Sequence, residues 1–377
     1  MVANHKVVHD SRSTSTTGSQ LRANIHIMPS LHLRVATTLV AASLLAVAVV
    51  EHRQAAKRIG NRAQALVSDF IEIARVRALL ANSVDWRATR DRVLADLPEP
   101  ADERDVYRAY RQVIHALNDP HTQHFPRQFY AQLTTPAPSA AAPTDFVTTS
   151  RESGSIIRIA VKGYSSGNPK RYMADGLAAL TLVERELAHA TCGAVVDLSQ
   201  NTGGNMYPML LALAPLLGSG ELLRFVDRSG AHHPVQFRSE NKDFRGMFGD
   251  AGPDIAARFA NAARWNDKAQ RPIAVLISGL TASSGEAVAI ALAGQPWVRT
   301  VGNPTRGLVT ANSVVRLADG SAVALTVARM SNRVGHIYNG PVAPDVALPA
   351  YDETRERAAP KAIAEAVANV ASRCVNK

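Results

Sequence analysis

Two adjacent serines, Ser283 and Ser284, stand where an apolar run gives way to an alanine-rich one. Ile273 to Gly294 reads IAVLISGLTASSGEAVAIALAG. Ile273, Val275 and Ile277 lie in a short apolar stretch, the pattern of a buried strand. Ser278 and Gly279 break it. A helix then opens at Ser284 to Glu286, with a glutamate in its first turn. A hydroxyl at a strand-to-helix turn lies near the amides that open the helix, and those amides can hold an oxyanion. Either serine could therefore act as a nucleophile on a carbonyl. Either could equally do no more than cap the helix.

Two further stretches carry residues suited to chemistry. Asn118 to Phe125 reads NDPHTQHF, and Pro120 stops the helix before it. His121 and His124 could be a catalytic base, metal ligands or solvated loop residues. Two histidines this close, with no evident third ligand, are a weak zinc signal. Ser199 to Asn205 reads SQNTGGN after the apolar AVVDL. The paired glycines Gly203 and Gly204 let the backbone approach a ligand and aim amides at it. A phosphate loop would need a following Gly-Lys-Ser/Thr, which is absent, and no G-x-G-x-x-G occurs. Neither a metal nor an organic cofactor is implied.

The elements that position these residues follow from periodicity. From about Arg58 to Leu117 the pattern is helical: Leu66, Val67, Phe70, Ile73 and Ala74 share one face, as do Tyr110, Val113, Ile114 and Leu117. This predicts a small N-terminal helical subdomain over 58–125. Thr134 to Thr149, rich in Pro, Ala, Ser and Thr, reads as a linker or mobile loop, within a linker span of 126–154. Ser155 to Val161 and Ala194 to Leu198 read as strands, with an amphipathic helix from Ala174 to Ala190 between them. A helix from about Met206 to Leu217 follows the glycine pair. Leu222 to Phe237 reads as a hairpin, and Asn241 to Gln270 as an irregular polar excursion. Ser313 to Leu317 and Ala322 to Ala328 form strands joined at Asp319-Gly320, a strong hairpin signal.

Composition narrows the class. The 377 residues can hold a large core, and 46% hydrophobic with 20% charged residues fits a globular protein. The net charge of +10 raises nucleic acid as a partner, but the Lys and Arg residues are scattered, with no basic run interleaved with aromatics. Nucleic-acid binding is therefore not expected. Cys192 and Cys374 exclude a disulfide scaffold and a cysteine-built zinc site, and leave one disulfide open. Residues 1–27 are polar. Val35 to Val50 is apolar apart from Thr37, Thr38 and Ser43, short for a spanning helix but suited to a signal-peptide core. Residues 1–57 thus read as a leader plus a signal or membrane-anchor segment at about 33–50. Arg53, Lys57, Arg58 and Arg62 crowd its far side, against the positive-inside rule. The expectation is an exported, periplasmic or membrane-anchored protein.

In order along the chain stand DPHT, VVDLSQNTGG, TASSGE, VGNPTRG, LADGSAVALTVARM and GPVAPD. This series resembles the tail-specific (C-terminal processing) serine peptidase family, in a branch similar to the tricorn core and lacking a PDZ domain. The span from Phe125 to Ser155 leaves no room for such a domain. The resemblance runs from about Arg58 to Leu348. It implies an α/β fold: a crotonase-like (ClpP-like) core of strand-helix units over 155–350, with the small N-terminal helical subdomain before it and a C-terminal helix within 351–377. It also implies hydrolysis of a polypeptide substrate. Ser283, three residues before Glu286, matches the family's nucleophile. The amides of Ser284 and of Gly203 and Gly204 match its oxyanion donors.

One position departs from the pattern. Ser/Lys members carry a lysine after the glycine of G-x-P-T-x-G-K, and this chain has Leu308 after Gly307. Leucine takes no proton. The tricorn-like branch instead uses a histidine from the segment that matches Asp119-Pro120-His121-Thr122, so His121 is the candidate base, with His124 as a second. The serine and glutamate that accompany that histidine match Pro120 and Tyr338 here, which leaves no residue assigned to orient His121. The alternative is a catalytically degenerate relative that binds peptide or a small apolar ligand in the same cleft. A crotonase-type acyl-CoA enzyme would share the superfamily but not the segment-by-segment match.

Overall fold

The computed structural model describes residues 62–374 except 100, 136–145, 154, 167, 238–251, 268–269 and 350–359. The predicted signal or anchor segment lies outside the described residues. Among the described residues, no helix is long and apolar enough to cross a membrane.

Three helices open the described chain: α1 (Arg62–Arg77), α2 (Trp86–Ala95) and α3 (Glu103–Leu117). Asp102 caps α3 by accepting from the Asp105 N–H, and the Asp105 carboxylate accepts the Asp102 N–H in return. Asn118 ends the helix in the left-handed region at φ 49°. That reversal aims the following residues, Asp119 to Thr122, away from the helix axis. The strand β1 (Gln123–Phe125) and the helix α4 (Arg127–Thr134) come next.

The main sheet is built from β2 (Val147–Glu152), β3 (Ile156–Val161), β4 (Gly193–Asp197), β7 (Ile273–Ile277), β8 (Val298–Gly302) and β11 (Val346–Ala347). Its order is β11-β8-β7-β4-β3-β2, all parallel except β2, which runs antiparallel to β3. β4 and β7 are buried along their whole length, as the continuous apolar runs of a parallel sheet require. Helices α5 (Pro169–Leu187), α6 (Met206–Ala212) and α7 (Ala214–Leu217), together with α8 (Gly252–Asp267) and α9 (Ser284–Leu292), belong with the main core. The C-terminal α10 (Pro360–Ser372) buries Ala362, Ala366 and Val370 against Ile156, Val195, Ala274 and Leu276 on the sheet. Cys374 pairs with Cys192 in a disulfide with a Cα–Cα distance of 5.5 Å.

A second sheet carries β5 (Leu223–Asp227), β6 (His232–Val235), β9 (Thr310–Arg316) and the long β10 (Ala322–Asn332). Its order is β1-β10-β5-β6, with β9 on the other edge of β10. Val315, Leu317, Val323 and Leu325 of this sheet share one core with Phe70, Tyr110 and Leu117 of the helices.

Two expectations are corrected. The span 126–154 is not simply a linker: it contains α4 and the strand β2, and Val147 of that strand and Phe146 just before it are buried in the core. The span 241–270 contains α8, which packs Ile255, Ala256 and Phe259 into the main core. Their polar surroundings obscured the apolar spacing within each.

Candidate active site

The site forms where the loop after β4 meets the loop after β7. Ser278 donates its hydroxyl to the Ser199 carbonyl at 2.7 Å, and Thr281 donates to the Leu198 carbonyl at 2.8 Å. The Ala282 N–H donates to the Asn201 carbonyl at 3.0 Å. These bonds lock the two loops side by side, as neighbouring parallel strands permit.

Ser283 then sits at φ 54°, ψ −115°, a conformation that non-glycine residues rarely take. Such a residue costs about 1–3 kcal/mol and persists only where its surroundings over-determine it. Glu286 supplies that constraint. Fully buried, it accepts the Ser283 N–H at 2.7 Å on one oxygen. Its other oxygen accepts the Thr305 hydroxyl at 2.5 Å and the Gly307 N–H at 2.7 Å. Burial pushes the Glu286 pKa up, while the bonds from Thr305, Gly307 and Ser283 pull it back. Glu286 thus ties the serine turn to the Thr305–Gly307 loop.

His121 reaches the serine from the other sheet. Its Nε2 lies 2.9 Å from Ser283 Oγ, and its Nδ1 lies 2.7 Å from Thr310 Oγ1, at the start of β9. With Nδ1–H donating to Thr310, Nε2 is left as an acceptor for the serine hydroxyl. The backbone of His121 is fixed as well. Its N–H donates to Asp119 Oδ1 at 3.0 Å, and its carbonyl accepts from Asn312 Nδ2 at 2.9 Å. Thr122 donates its hydroxyl to Asp119 Oδ2 at 2.5 Å and accepts the Thr326 N–H at 3.1 Å. Burial lowers the His121 pKa, and the Asp119 charge opposes that in part. A neutral imidazole is favoured.

The glycine loop lies against the serine. A Cβ on Gly203 would come within 2.9 Å of Ser283 Cβ, and one on Gly204 within 2.0 Å of the Tyr164 carbonyl oxygen. Both glycines have positive φ, 104° and 115°. The Gly203 N–H donates to Asn201 Oδ1 at 3.0 Å, so it is not among the amides left for a ligand. The Ser284 hydroxyl donates to the Gly204 carbonyl at 2.5 Å and pins the glycine loop to the head of α9. The amides of Gly204 and Ser284 form no hydrogen bond among the described residues.

Other sequence candidates lie elsewhere. His124 is not at the serine: its ring packs on Tyr107 and Tyr110, at centroid distances of 4.6 and 5.2 Å, and its buried Nε2 has no partner among the described residues. Tyr338 packs beside His336 and the main core, and burial raises its pKa. Leu308 is half-buried beside the loop that Glu286 holds. Thr310 was missed, because a hydroxyl opening a strand is unremarkable in sequence. Its place three residues after Gly307 was the available signal. A cavity of about 530 Å³ borders β9 at Ala311, Asn312 and Ser313, but neither Ser283 nor His121 lines it. Among the described residues, no three His, Cys, Asp or Glu side chains group in a way that could hold a metal ion.

The family model for peptidase family S41 matches residues 161–348. The chain belongs to this family. The S41 match takes in the glycine loop, Ser283, Glu286, Leu308 and Thr310, and begins well after His121. A nisin-resistance protein of Lactococcus lactis subsp. lactis is 37% identical over 155 residues, which are 41% of this chain and 45% of that protein. The match thus spans less than half of that relative. Among solved structures, a lipoprotein from Streptococcus agalactiae superposes with a TM-score of 0.65 at 20% identity, covering 82% of this chain and 96% of that one. A photosystem II D1 C-terminal processing protease superposes at 0.52 with 18% identity, covering 81% and 97%. At these identities the structures are evidence of a shared S41 fold.

Proposed function

We propose that the protein is a serine peptidase that works through Ser283 and His121. The single observation that carries this reading is the 2.9 Å approach of His121 Nε2 to Ser283 Oγ. In the proposed reaction the serine oxygen bonds to the substrate carbonyl carbon as its proton passes to Nε2. The amides of Gly204 and Ser284 hold the resulting oxyanion. The imidazolium returns the proton to the departing amine as the C–N bond breaks. Water then attacks the acyl-serine with His121 as base, which releases the acid and restores the serine. Thr310 keeps the ring in the required tautomer. Glu286 holds the serine turn and takes no proton.

The location reading gains support from the disulfide. Structural disulfides persist in oxidising compartments, outside the cytosol. The likeness to a streptococcal lipoprotein points the same way. The nisin-resistance relative makes nisin a defined substrate to test beside an unfolded protein.

A binding protein with a degenerate site is the second reading. It is favoured by the absence of a lysine at Leu308 and by the neutral hydroxyl at His121 Nδ1. A fluorophosphonate probe separates the two. Labelling of the parent but not of Ser283→Ala, together with casein hydrolysis lost in the same variant, is expected of a peptidase. An unlabelled parent that still binds casein would leave only the binder.

A further inference from the structure

Among the described residues, one edge of the strand that carries Thr310 is unpaired: β9 pairs with β10 alone, from Thr310↔Arg329 to Arg316↔Ala322. At its two ends the backbone direction is fixed by hydrogen bonds: the Val309 carbonyl accepts from the Met330 N–H, and the Leu317 N–H donates to the Ser321 carbonyl. The irregularity between Thr326 and Ala328 places the extra residue in β10, so the alternation along β9 is unbroken. Val309, Ala311, Ser313, Val315 and Leu317 therefore turn their backbone groups toward β10. Thr310, Asn312, Val314 and Arg316 turn theirs outward. No backbone hydrogen bond to any of those four residues is formed among the described residues. The edge is open: Val314 is 55% exposed, and Arg316 is exposed too.

We propose that this outer edge of β9 receives the polypeptide substrate as an added strand. The proposal rests on the serine peptidase reading. What identifies the occupant is continuity with the dyad: the first outward-facing residue, Thr310, is the one whose side chain bonds His121. A chain paired along Thr310 to Arg316 runs about 20 Å and ends at the residue whose hydroxyl bonds the proposed base. Unpaired strand edges are templates for an extended chain, and backbone pairing gives affinity that depends little on sequence. Alternation settles the side-chain faces too. Val315 and Leu317 enter the core shared with the helices, so Asn312 and Val314 lie on the opposite face, with Thr310 and His121. The bound segment is thus an unfolded stretch whose alternate side chains lie beside Asn312 and Val314. A folded domain is not accepted.

The decisive variant is Val314→Pro, which removes one outward N–H and no bond to β10, at an edge position where proline is tolerated. Expected is a fall of about ten-fold or more in kcat/KM on β-casein, with hydrolysis of p-nitrophenyl acetate unchanged, since the ester needs only the dyad. Val314→Ala keeps the N–H and should retain most casein activity. Casein cleavage by Val314→Pro at the parent rate overturns the proposal. A fold disturbed by proline would show as lost ester hydrolysis, and the result then comes from amide exchange in Ser283→Ala, which is otherwise parental. Excess β-casein should slow exchange at Thr310, Asn312, Val314 and Arg316. Unchanged exchange, or protection already present without casein through a second copy or another segment of this chain, overturns the proposal. Ester and casein hydrolysis that survive Ser283→Ala would instead defeat the serine reading itself.

Discussion

Thr310 Oγ1 stands 2.7 Å from His121 Nδ1, on the opposite side of the ring from Ser283. A hydroxyl there can fix the ring's tautomer and angle but adds no negative charge to the imidazolium that the proposed attack would form. Thr310→Val keeps the shape and leaves Nδ1–H unpaired. A lost hydrogen bond to a buried donor is worth ~1–3 kcal/mol, so kcat should fall about 10- to 100-fold with KM little changed. Thr310→Ser should restore most of it. A valine variant with parental kcat would remove the orienting role.

The pH profile follows from the site's burial. His121 must be neutral to act as base, and burial lowers its pKa below the usual value of about 6.5. The acid limb of kcat/KM should therefore have its midpoint below about pH 6.5. Thr310→Asp puts a carboxylate on Nδ1 and should shift that midpoint upward. A limb that stays in place in the aspartate variant would disconnect the profile from His121. His121→Ala should cost several powers of ten in kcat, whereas His124→Ala should spare the chemistry.

The buried His121 and the half-buried His124 should also shape acid stability. His121 and His124 both have pKa values lowered chiefly by burial. Below about pH 6.5 the unfolded chain binds protons that the folded chain refuses, so stability falls as pH falls toward the folded pKa values. Above that range their contribution is fully present. Urea midpoints should be level from pH 7 to 8 and drop by pH 5.5. His124→Phe fills the same place between Tyr107 and Tyr110 without a titrating group and should lessen the drop. An equal drop in that variant would clear His124 of any part in it.

Glu286→Gln tests what holds the serine turn. Three donors converge on the carboxylate, from Ser283, Thr305 and Gly307. A glutamine must turn its NH2 toward at least one of them. The loss should be about 1–3 kcal/mol in stability, with a marked drop in kcat as Ser283 leaves its strained conformation. Circular dichroism melts and active-site titration check both. A variant with parental kcat and Tm would mean the turn holds itself.

Ser284→Ala separates side chain from backbone. It keeps the amide proposed for the oxyanion and loses the bond to the Gly204 carbonyl. A modest loss, about ten-fold in kcat, is expected, against near-complete loss in Ser283→Ala. Equal and complete loss in both would make Ser284 more than a tether.

Much of this was legible in the residues. The buried runs AVVDL and IAVLI gave the central strands because a two-sided parallel sheet admits little but apolar side chains. The glycine pair and the serine turn stood out because each breaks such a run abruptly. Other features depend on distant partners. Neither the position of His121 beside Thr310 nor the Asn201 side chain that takes the Gly203 N–H follows from local spacing, because each pairing is made by the fold. His124 looked as eligible as His121. Only the course of β1 along β10, which carries His124 under the tyrosines, tells them apart. The helix α8 was hidden for the opposite reason, since its apolar residues are spaced among Arg, Asn and Asp.

The C-terminal helix braces the candidate site from behind. α10 covers one face of β3, β4 and β7, and Arg373 donates to the carbonyls of Ile273 and Trp297 at the head of β7 and beside β8. β7 leads directly into the serine turn, so α10 backs the strand that carries the proposed nucleophile. The Cys192–Cys374 bond fastens the end of that helix to the residue before β4, whose own loop carries the glycine pair. Both loops of the candidate site are thus braced from behind by a segment remote from them in sequence.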